Sequence, residues 1–231
     1  MKPKCRFDGR LQLHPHCLVF FVDETGHEEF ADPHYPVFGM GGCGLLAGAI
    51  DGHLRNPWRE MKARHFGGAD VPLHASDLRN PTPDQSSALG RFFETQPFGR
   101  FAVTMTRNTE LPTGIKPIQV MPGLLRRRWQ YLTPRFQPLP VEVAFIHEAS
   151  ERADPLLEAY FGESVVHIDG QRAPVHHGIM PRGDEAPEVA DFIVQAAGGQ
   201  ARHGIQPNRP VRRDFEVIFR ANPLWQSFIG L

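Results

Sequence analysis

The sequence predicts a single α/β domain in which a sheet is covered by helices. Two observations support this fold class. Segments with the pattern of strands alternate along the chain with segments that have the pattern of helices. In addition, 231 residues with a hydrophobic content of 41% can supply one sizeable core. We find no internal repeat and no convincing linker. We therefore expect one domain over residues 1–231, with 1–16 and 201–231 as peripheral extensions.

Five segments have the composition and periodicity of strands. Residues 17–23 form a continuous apolar run that ends in polar turn residues, as a buried strand does. The segment after it is rich in glycine, which costs about 1 kcal/mol per residue in a helix relative to alanine. We therefore expect a close-packed strand that forms a hairpin with the first. The predicted strands are 17–23, 37–49, 101–106, 141–146 and 165–168.

Five further segments have helical patterns, and most of them are bounded by proline or glycine. Residues 83–93, for example, begin with a proline, carry an acidic first turn and present apolar side chains on one face. The first predicted helix begins at residue 57 and ends at the Gly67-Gly68 pair. The others cover 83–93, 118–132, 154–161 and 187–197, and the last of them ends at the Gly198-Gly199 pair. Residues 169–186 are predicted to be a loop.

Charge and cysteine content limit the classes of partner and compartment. With 25 basic and 26 acidic residues the formal net charge is -1, so no overall field attracts the chain to nucleic acid or to an anionic membrane. No apolar run reaches the roughly 20 residues of a membrane span, and no leader pattern opens the sequence. Three cysteines cannot all pair, which favours a reduced, cytoplasmic protein.

Acidic residues stand at three positions where chemistry is expected. Asp23 and Glu24 follow the first strand, and Glu148 follows the strand at 141–146. Strand ends in α/β sheets are common places for sites. Asp191 interrupts the apolar face of the last predicted helix, where a carboxylate is costly unless it is paired or bound to metal. Each acid also has a plain alternative, since solvated turns and the first turns of helices favour acids as well.

Together these acids predict a site for a hard divalent cation. Mg²⁺ and Mn²⁺ prefer carboxylate oxygens, and two-metal sites that cleave phosphodiesters need several negative ligands. We therefore expect Asp23, Glu148 and Asp191 to converge as ligands and, with Glu24, to form the catalytic set.

Five short motifs carry a resemblance to a known family. They are 20–26 (Phe-Phe-Val-Asp-Glu-Thr-Gly), 38–42 (Phe-Gly-Met-Gly-Gly), 58–62 (Trp-Arg-Glu-Met-Lys), 73–78 (Leu-His-Ala-Ser-Asp-Leu) and 189–193 (Val-Ala-Asp-Phe-Ile). On these motifs the chain resembles the DUF3800 family of bacterial and phage proteins. The resemblance implies a ribonuclease H-like fold with a mixed five-stranded sheet, its first three strands antiparallel, helices on both faces and the carboxylates meeting at the central strand. Two departures are Thr25, where the family has Ser, and Glu188, where it usually has Gln.

Basic side chains on a predicted helix are candidates for holding a substrate. Arg126, Arg127 and Arg128 precede Trp129 and Tyr131 on a predicted helix, a combination that can grip a nucleic-acid backbone and stack on bases. The alternative is a solvated helix face with Trp129 turned inward. A second basic cluster, with the same two interpretations, is Arg209, Arg212 and Arg213.

Two further residues are candidate substrate contacts. His74 can shuttle a proton or contact a phosphate at the edge of the site, or it can be structural. Lys62 can contact a phosphate, or it can extend from its helix to solvent.

The sequence thus predicts a metal-dependent nuclease that uses Mg²⁺ or Mn²⁺ and acts on RNA, DNA or a hybrid. Two alternatives stay open. One is a phosphotransferase in which Asp23 is the phosphorylated nucleophile. The other is a nucleic-acid-binding or protein-binding module whose acids are structural. The oligomeric state is not set by the sequence.

Overall fold

The computed structural model describes residues 5–6, 13–78, 80–150, 154–162, 165–180, 183–209, 211, 216–218 and 226–231. Its architecture is α/β, as the sequence predicts. One mixed sheet of seven strands forms the centre, and a separate pair of short strands lies outside it.

The strands run from near one end of the chain to the other. They are β1 (Cys5–Arg6), β2 (Cys17–Gly26), β3 (Val37–Leu46), β4 (Gly99–Thr106), β5 (Glu142–Glu148), β6 (Val166–Ile168), β7 (Gln171–Ala173), β8 (Val175–Met180) and β9 (Gln226–Gly230). In the main sheet the order is β1-β8-β5-β2-β3-β4-β9, whereas β6 and β7 pair only with each other.

Five helices surround this sheet. They are α1 (Asn56–His65), α2 (Pro83–Thr95), α3 (Pro117–Leu132), α4 (Asp154–Gly162) and α5 (Glu185–Ile205). A 3₁₀ turn at Ala47–Ala49 and a π-helical turn at Asp51–Arg55 connect β3 to α1. At the start of α2, Thr82 and Gln85 form a reciprocal capping box, which explains why this helix begins where the sequence predicts.

Strand directions bring the ends of several strands to one edge of the sheet. β3 is antiparallel to its neighbours β2 and β4, and the other pairings of the main sheet are parallel. The carboxyl ends of β2, β5 and β8 therefore meet. Because Val22 on β2 is paired in register with His147 on β5, the next residues, Asp23 and Glu148, lie side by side.

Two apolar cores lie on opposite faces of the sheet. The first core joins one face of β2 to α1, α2 and α5, through residues such as Phe21, Trp58 and Phe192. The second joins the other face of β2 to α3 and α4, through Phe20 and Trp129 among others. Helices thus cover both faces. The glycines of β3 allow α5 to approach, since a Cβ at Gly42 would stand 3.0 Å from the Cβ of Ala190.

Several details differ from the sequence prediction. The sheet has seven strands rather than five, because short strands at both ends of the chain, β1 and β9, extend its edges. The predicted strand at 165–168 belongs to the separate β6-β7 pair. The predicted loop at 169–186 contains β7, β8 and the start of α5. The sequence pattern does not predict β8, because its residues Val-His-His-Gly-Ile-Met form neither a continuous apolar run nor a clear alternation.

Candidate functional site

The three acids that the sequence predicts to converge lie at one edge of the sheet. Asp23 is near the end of β2, Glu148 is the last residue of β5, and Asp191 is on α5. Glu148 and Asp191 line the same cavity, which has a volume of about 300 Å³. Asp23 interacts electrostatically with both. Strand alternation places Asp23 on the same face as Phe21, which is the face that α5 covers.

Asp23 has no cationic partner among the residues that the structure describes. Its Oδ1 accepts a hydrogen bond of 2.8 Å from the backbone N–H of Glu24. In the described part of the chain, no nitrogen of a Lys, Arg or His side chain lies within 4.0 Å of its carboxylate. Burial and the negative charge of Asp191 raise the pKa of Asp23 well above its ordinary value, and Glu148 and Glu24 add to this rise. The Asp23 carboxylate is therefore destabilised.

Asp191 is in a similar position on α5. Its side chain is 12% exposed, and its Oδ2 accepts a hydrogen bond of 2.8 Å from the backbone N–H of Ala75. Burial raises the pKa of Asp191 to about 6, against a lowering contribution from the Ala75 N–H and from His74. His74 Nδ1, 3.9 Å from Asp191 Oδ2, is the only basic group within 4.0 Å of this carboxylate among the described residues.

A ladder of ion pairs connects α1, with the turn before it, to the first turns of α5. Three acids at the start of α5, the residue before the helix included, each have their own cation, and the three cations follow one another at spacings of four and three residues. The pairs are Arg55 with Asp184 (2.7 Å), Arg59 with Glu185, and Lys62 with Glu188 (2.9 Å). Asp191 stands one turn further along α5, where no rung of the ladder reaches it. This position explains why its charge is poorly compensated.

The ion pair of Lys62 with Glu188 shows that the prediction of a substrate contact for Lys62 is wrong. The Lys62 side chain is only 3% exposed, and its Nζ donates to both carboxylate oxygens of Glu188. Glu188 also accepts from Trp58 Nε1 at 2.6 Å and from the backbone N–H of Leu73 at 3.3 Å. A buried lysine in such a pair cannot reach a phosphate or extend to solvent. Glu188, which departs from the Gln that the sequence resemblance implies, is paired with Lys62.

Two backbone hydrogen bonds hold the segment that contains His74 against α5. The backbone N–H groups of Leu73 and Ala75 bond to the carboxylates of Glu188 and Asp191, one helical turn apart. The His74 side chain is 49% exposed and lines the cavity beside Glu148 and Asp191. His74 therefore lies at the edge of the cavity, as the sequence predicts, whereas its role in proton transfer or phosphate contact stays a prediction.

Glu24 lies apart from the other acids. Successive side chains of a strand point to opposite faces, so Glu24 is on the side of α3 and α4. There its Oε1 accepts a hydrogen bond of 3.4 Å from Ser150 Oγ. Glu24 thus faces away from Asp23 and influences it through charge, so its place in the catalytic set stays a prediction.

A group of histidines beside Glu24 was not predicted from the sequence. His147 Nε2 is 2.7 Å from Asp154 Oδ1, and His147 Nδ1 is 3.2 Å from His177 Nε2. Burial lowers the pKa of His147 and lowers that of His177 to about 4. The two rings are thus neutral near pH 7. The only signal in the sequence was a histidine at the end of the otherwise apolar run 143–146.

The predicted basic helix lies on the other side of the sheet. Arg126, Arg127 and Arg128 are on α3, which packs on the face opposite to α5. Arg126 Nη2 donates to the backbone oxygen of Val165 at 2.9 Å, and Arg127 is exposed. Trp129 is 1% exposed and contacts Phe20, so the alternative of an inward-turned Trp129 is correct and bases cannot stack on this ring.

The second predicted basic cluster is only partly described. Arg212 and Arg213 lie outside the described residues. Arg209 Nη2 lies 3.1 Å from His34 Nδ1.

The carboxylates of the site have the chemistry that a divalent cation needs, but they are not arranged around one point as the ligands of an ion are. Asp23 and Asp191 offer the hard carboxylate oxygens that Mg²⁺ and Mn²⁺ prefer, and the described residues compensate their negative charge poorly. In the residues that the structure describes, however, no three side chains of His, Cys, Asp or Glu form a group that could hold an ion as they stand. Bound metal would therefore need these carboxylates to turn toward one another.

Comparison with known families, curated proteins and solved structures gave no significant match for this chain. The resemblance to the DUF3800 family consequently stays a prediction from the sequence. Within the described residues, none of the helices has the length and apolar character needed to cross a membrane.

Proposed function

We propose that this protein is a divalent-metal-dependent hydrolase of phosphodiester bonds in nucleic acid, built on a ribonuclease H-like core. The observation that carries the proposal is the meeting of acids from three separate elements. Asp23, Glu148 and Asp191 come from β2, β5 and α5, and the pKa of Asp23 is raised by burial and by the charges of the other two. Retaining uncompensated carboxylates at one place is costly unless a cation joins them.

The order of the five central strands supports the ribonuclease H-like part of the proposal. The five central strands lie in the order β4-β3-β2-β5-β8. The three that come first in the chain, β2, β3 and β4, form an antiparallel unit. β5 pairs in parallel with β2, and β8 pairs in parallel with β5. This matches the arrangement that the family resemblance implies, including the place of Asp23 on the central strand β2.

Each residue of the site has a defined task in this proposal. Asp23 and Asp191 hold the cation, and Glu148 provides further negative charge at the cavity wall. A bound Mg²⁺ or Mn²⁺ ion would lower the pKa of a water molecule and offset charge on the phosphodiester. His74, half-exposed at the cavity, would exchange a proton with a substrate oxygen through its ring. The segment around it is held by Glu188 and Asp191.

A binding module without catalysis is the second candidate, because the described side chains do not form a finished ion site. In that case the acids at the strand ends would be structural. The phosphotransferase alternative is less favoured. A nucleophilic carboxylate must be ionised, and the environment of Asp23 raises its pKa instead of lowering it.

Titration with Mn²⁺ of the wild type and of an Asp23→Asn variant tests the proposal. We expect Mn²⁺ to raise the melting temperature of the wild type and to support cleavage of a labelled oligonucleotide, because the ion binds only the folded site. Asp23→Asn should fold but lose both effects. Glu94→Gln, an equal change of charge on the exposed side of α2, should keep both. Stabilisation of Asp23→Asn equal to that of the wild type would show that Asp23 is not a ligand, and stabilisation without cleavage would favour the binding module.

A further inference from the structure

We infer that a second metal site lies on the other face of the sheet, where His147, His177 and Glu24 bind a transition-metal ion of the zinc type. These side chains come from β5, β8 and β2. The site is separate from the acids under α5, so the inference goes beyond the proposed function and does not depend on it.

Strand register brings the three side chains to one face of the sheet. His147 on β5 is paired in register with Val22 on β2. His177 on β8 is paired with Phe145 on β5. Val22 and Phe145 belong to the core under α3 and α4, and paired residues of neighbouring strands point to the same face. Glu24 is two residues beyond Val22 and therefore points to that face as well. Three neighbouring strands thus each contribute one donor group.

The ring nitrogens of the two histidines are spaced like two ligands of one ion. His147 Nδ1 lies 3.2 Å from His177 Nε2, in a hydrogen bond between the rings. Zinc binds imidazole nitrogen at about 2.0–2.1 Å in a tetrahedral arrangement, which sets two ligand nitrogens about 3.3–3.4 Å apart. The ring centroids are 4.9 Å apart, and the ring planes differ by 14°. An ion can therefore take the place of the shared proton with little movement of either ring.

The contact of His147 with Asp154 leaves the correct nitrogen for the metal. His147 Nε2 lies 2.7 Å from Asp154 Oδ1. Because a carboxylate accepts hydrogen bonds, Nε2 carries the proton of the neutral ring and Nδ1 carries the lone pair. Histidines that bind metals usually donate their other N–H to a carboxylate in this way, which fixes the ring and makes it a better ligand. His177 becomes a ligand when its proton moves from Nε2 to Nδ1, so the pair of rings releases no net proton.

Glu24 becomes the third ligand when its side chain turns. In the part of the chain that the structure describes, no three side chains of His, Cys, Asp or Glu surround one point as they stand. Glu24 Oε1 accepts from Ser150 Oγ at 3.4 Å, which is long for a hydrogen bond between oxygens. Glu24 already interacts electrostatically with His147, and diagonal positions on adjacent strands are within reach of long side chains. Exchange of the Ser150 contact for a bond to the ion completes a set of two imidazoles and one carboxylate.

The donor types distinguish this site from the acids under α5. Imidazole nitrogen suits zinc, iron, nickel and copper, whereas magnesium prefers oxygen ligands. The Phe161 ring on α4 lies 6.1 Å from the His177 ring and stacks on Phe145 at 4.0 Å, so an apolar wall borders the site and limits the access of water. Zinc is the test ion, because three protein ligands leave it one position for a water molecule.

Isothermal titration calorimetry with zinc chloride tests this inference on the wild type and on variants of each donor. We expect the wild type to bind one equivalent of zinc that His177→Gln loses, since glutamine can still bond to His147 but supplies no imidazole. Asp154→Asn should weaken this binding about tenfold to hundredfold, as expected when the partner of a ligating histidine changes. Asp23→Asn should keep it, whether or not the protein is a hydrolase.

The matched control is His176→Gln, which removes a neighbouring imidazole on the other face of the sheet. His176 Nε2 lies 2.9 Å from Glu142 Oε2, so this variant should bind zinc like the wild type. Melting curves in EDTA show whether each variant folds. Glu24→Gln, at a partly buried position, keeps the test decisive if His177→Gln does not fold, and it should also weaken zinc binding.

Three results would each overturn the inference. They are the absence of zinc binding by the wild type, wild-type affinity in a folded His177→Gln or Glu24→Gln variant, and equal losses in His176→Gln and the donor variants. Zinc binding that persists in Asp23→Asn while the effect of Mn²⁺ disappears would show two separate metal sites, one on each face of the sheet.

Discussion

The acids around the site differ in how their charge is compensated. Glu188 meets Lys62 at 2.9 Å, whereas Asp191 has one backbone N–H and a distant histidine. Asp191 therefore keeps its proton to a higher pH than an ordinary aspartate. In the folded protein without metal, this property gives the residue a measurable effect on stability.

We expect Asp191→Asn to stabilise the metal-free protein above about pH 6. The pKa of Asp191 is raised from 3.8 to about 6 in the folded state. As pH rises from about 4 to about 6, the unfolded chain loses this proton first, so the free energy of unfolding of the wild type falls. The full cost above pH 6 is about 3 kcal/mol by order of magnitude. Asparagine carries no such cost and can still accept from Ala75.

Urea unfolding in EDTA at several pH values measures this difference. The stability gained by Asp191→Asn should be near zero at about pH 4 and should grow as the pH rises through the interval between the two pKa values. A difference that does not vary with pH would contradict the assignment of the raised pKa to Asp191.

Single residues were predictable from the sequence only where the local pattern was unusual. Asp23 and Asp191 stand out because each interrupts or ends an apolar segment. The pairing of Lys62 was not predictable, because its partner Glu188 lies 126 residues away and only the fold brings them together. Glu24 was assigned to the site because it adjoins Asp23. Strand alternation, which places neighbours on opposite faces, would have separated the two.

At the scale of elements, the ladder between the α1 region and α5 positions the site. Its innermost pair, Lys62 with Glu188, is buried on both sides, with 3% and 4% of the side chains exposed. Removing one partner of a buried pair leaves an uncompensated charge, which costs about 3–5 kcal/mol. Replacing both partners removes the charge altogether.

We therefore expect Lys62→Met to lower the free energy of unfolding by about 3–5 kcal/mol, and Lys62→Met combined with Glu188→Gln to recover most of it. The glutamine can still accept from Trp58 Nε1, which now bonds to Glu188. Urea unfolding of the wild type, both single variants and the double variant forms a double-mutant cycle. Additive losses would show that the two side chains do not depend on each other.

Two adjacent glycines in α5 show why the sequence misplaced the end of this helix. The pair Gly198-Gly199 predicts a stop, yet α5 continues to Ile205. A Cβ at Gly198 would overlap the hydroxyl of Tyr35 and stand 3.0 Å from Cγ2 of Thr25, whereas nothing lies within 4 Å of one at Gly199. Gly198 thus serves close packing. A sequence pattern cannot separate this role from that of a helix end.

The two positions should respond oppositely to alanine. We expect Gly198→Ala to destabilise the fold by about 1–3 kcal/mol, because the Tyr35 side chain and the helix must move apart. Gly199→Ala should stabilise it by up to about 1 kcal/mol through helix propensity. Thermal or urea unfolding of the two variants compares them directly. Equal effects of the same sign would show that α5 does not approach Tyr35 as closely as described.

At the scale of the whole molecule, the sheet separates two environments. One face, under α5, carries the uncompensated acids Asp23 and Asp191, and the other carries the neutral pair His147 and His177. The α/β class and the helices on both faces were predictable, because they depend on apolar patterns that the chain shows locally. The edge strands β1 and β9 were not, because they are short and owe their pairing to neighbours that are distant in sequence.

The face with the acids leads to a prediction for the entire fold. A metal ion bound at Asp23 and Asp191 must displace the protons that these residues hold to an unusually high pH. Stabilisation by an ion that binds only the folded state grows with the ratio of free metal to dissociation constant. We therefore expect Mn²⁺ to raise the melting temperature more at about pH 7.5 than at about pH 5, where the ion competes with protons.

Differential scanning fluorimetry with and without Mn²⁺ across this range measures the effect. Because the pKa of Asp191 is about 6 and the pKa of Asp23 is also raised, the metal-induced shift should still be increasing as the pH rises through about 6. Weak binding to scattered surface carboxylates, whose pKa values lie near 4, would instead give a shift that is already complete at about pH 5. A shift of that kind, persisting in Asp23→Asn, would place the ion outside the cavity and separate metal binding from the acids of β2 and α5.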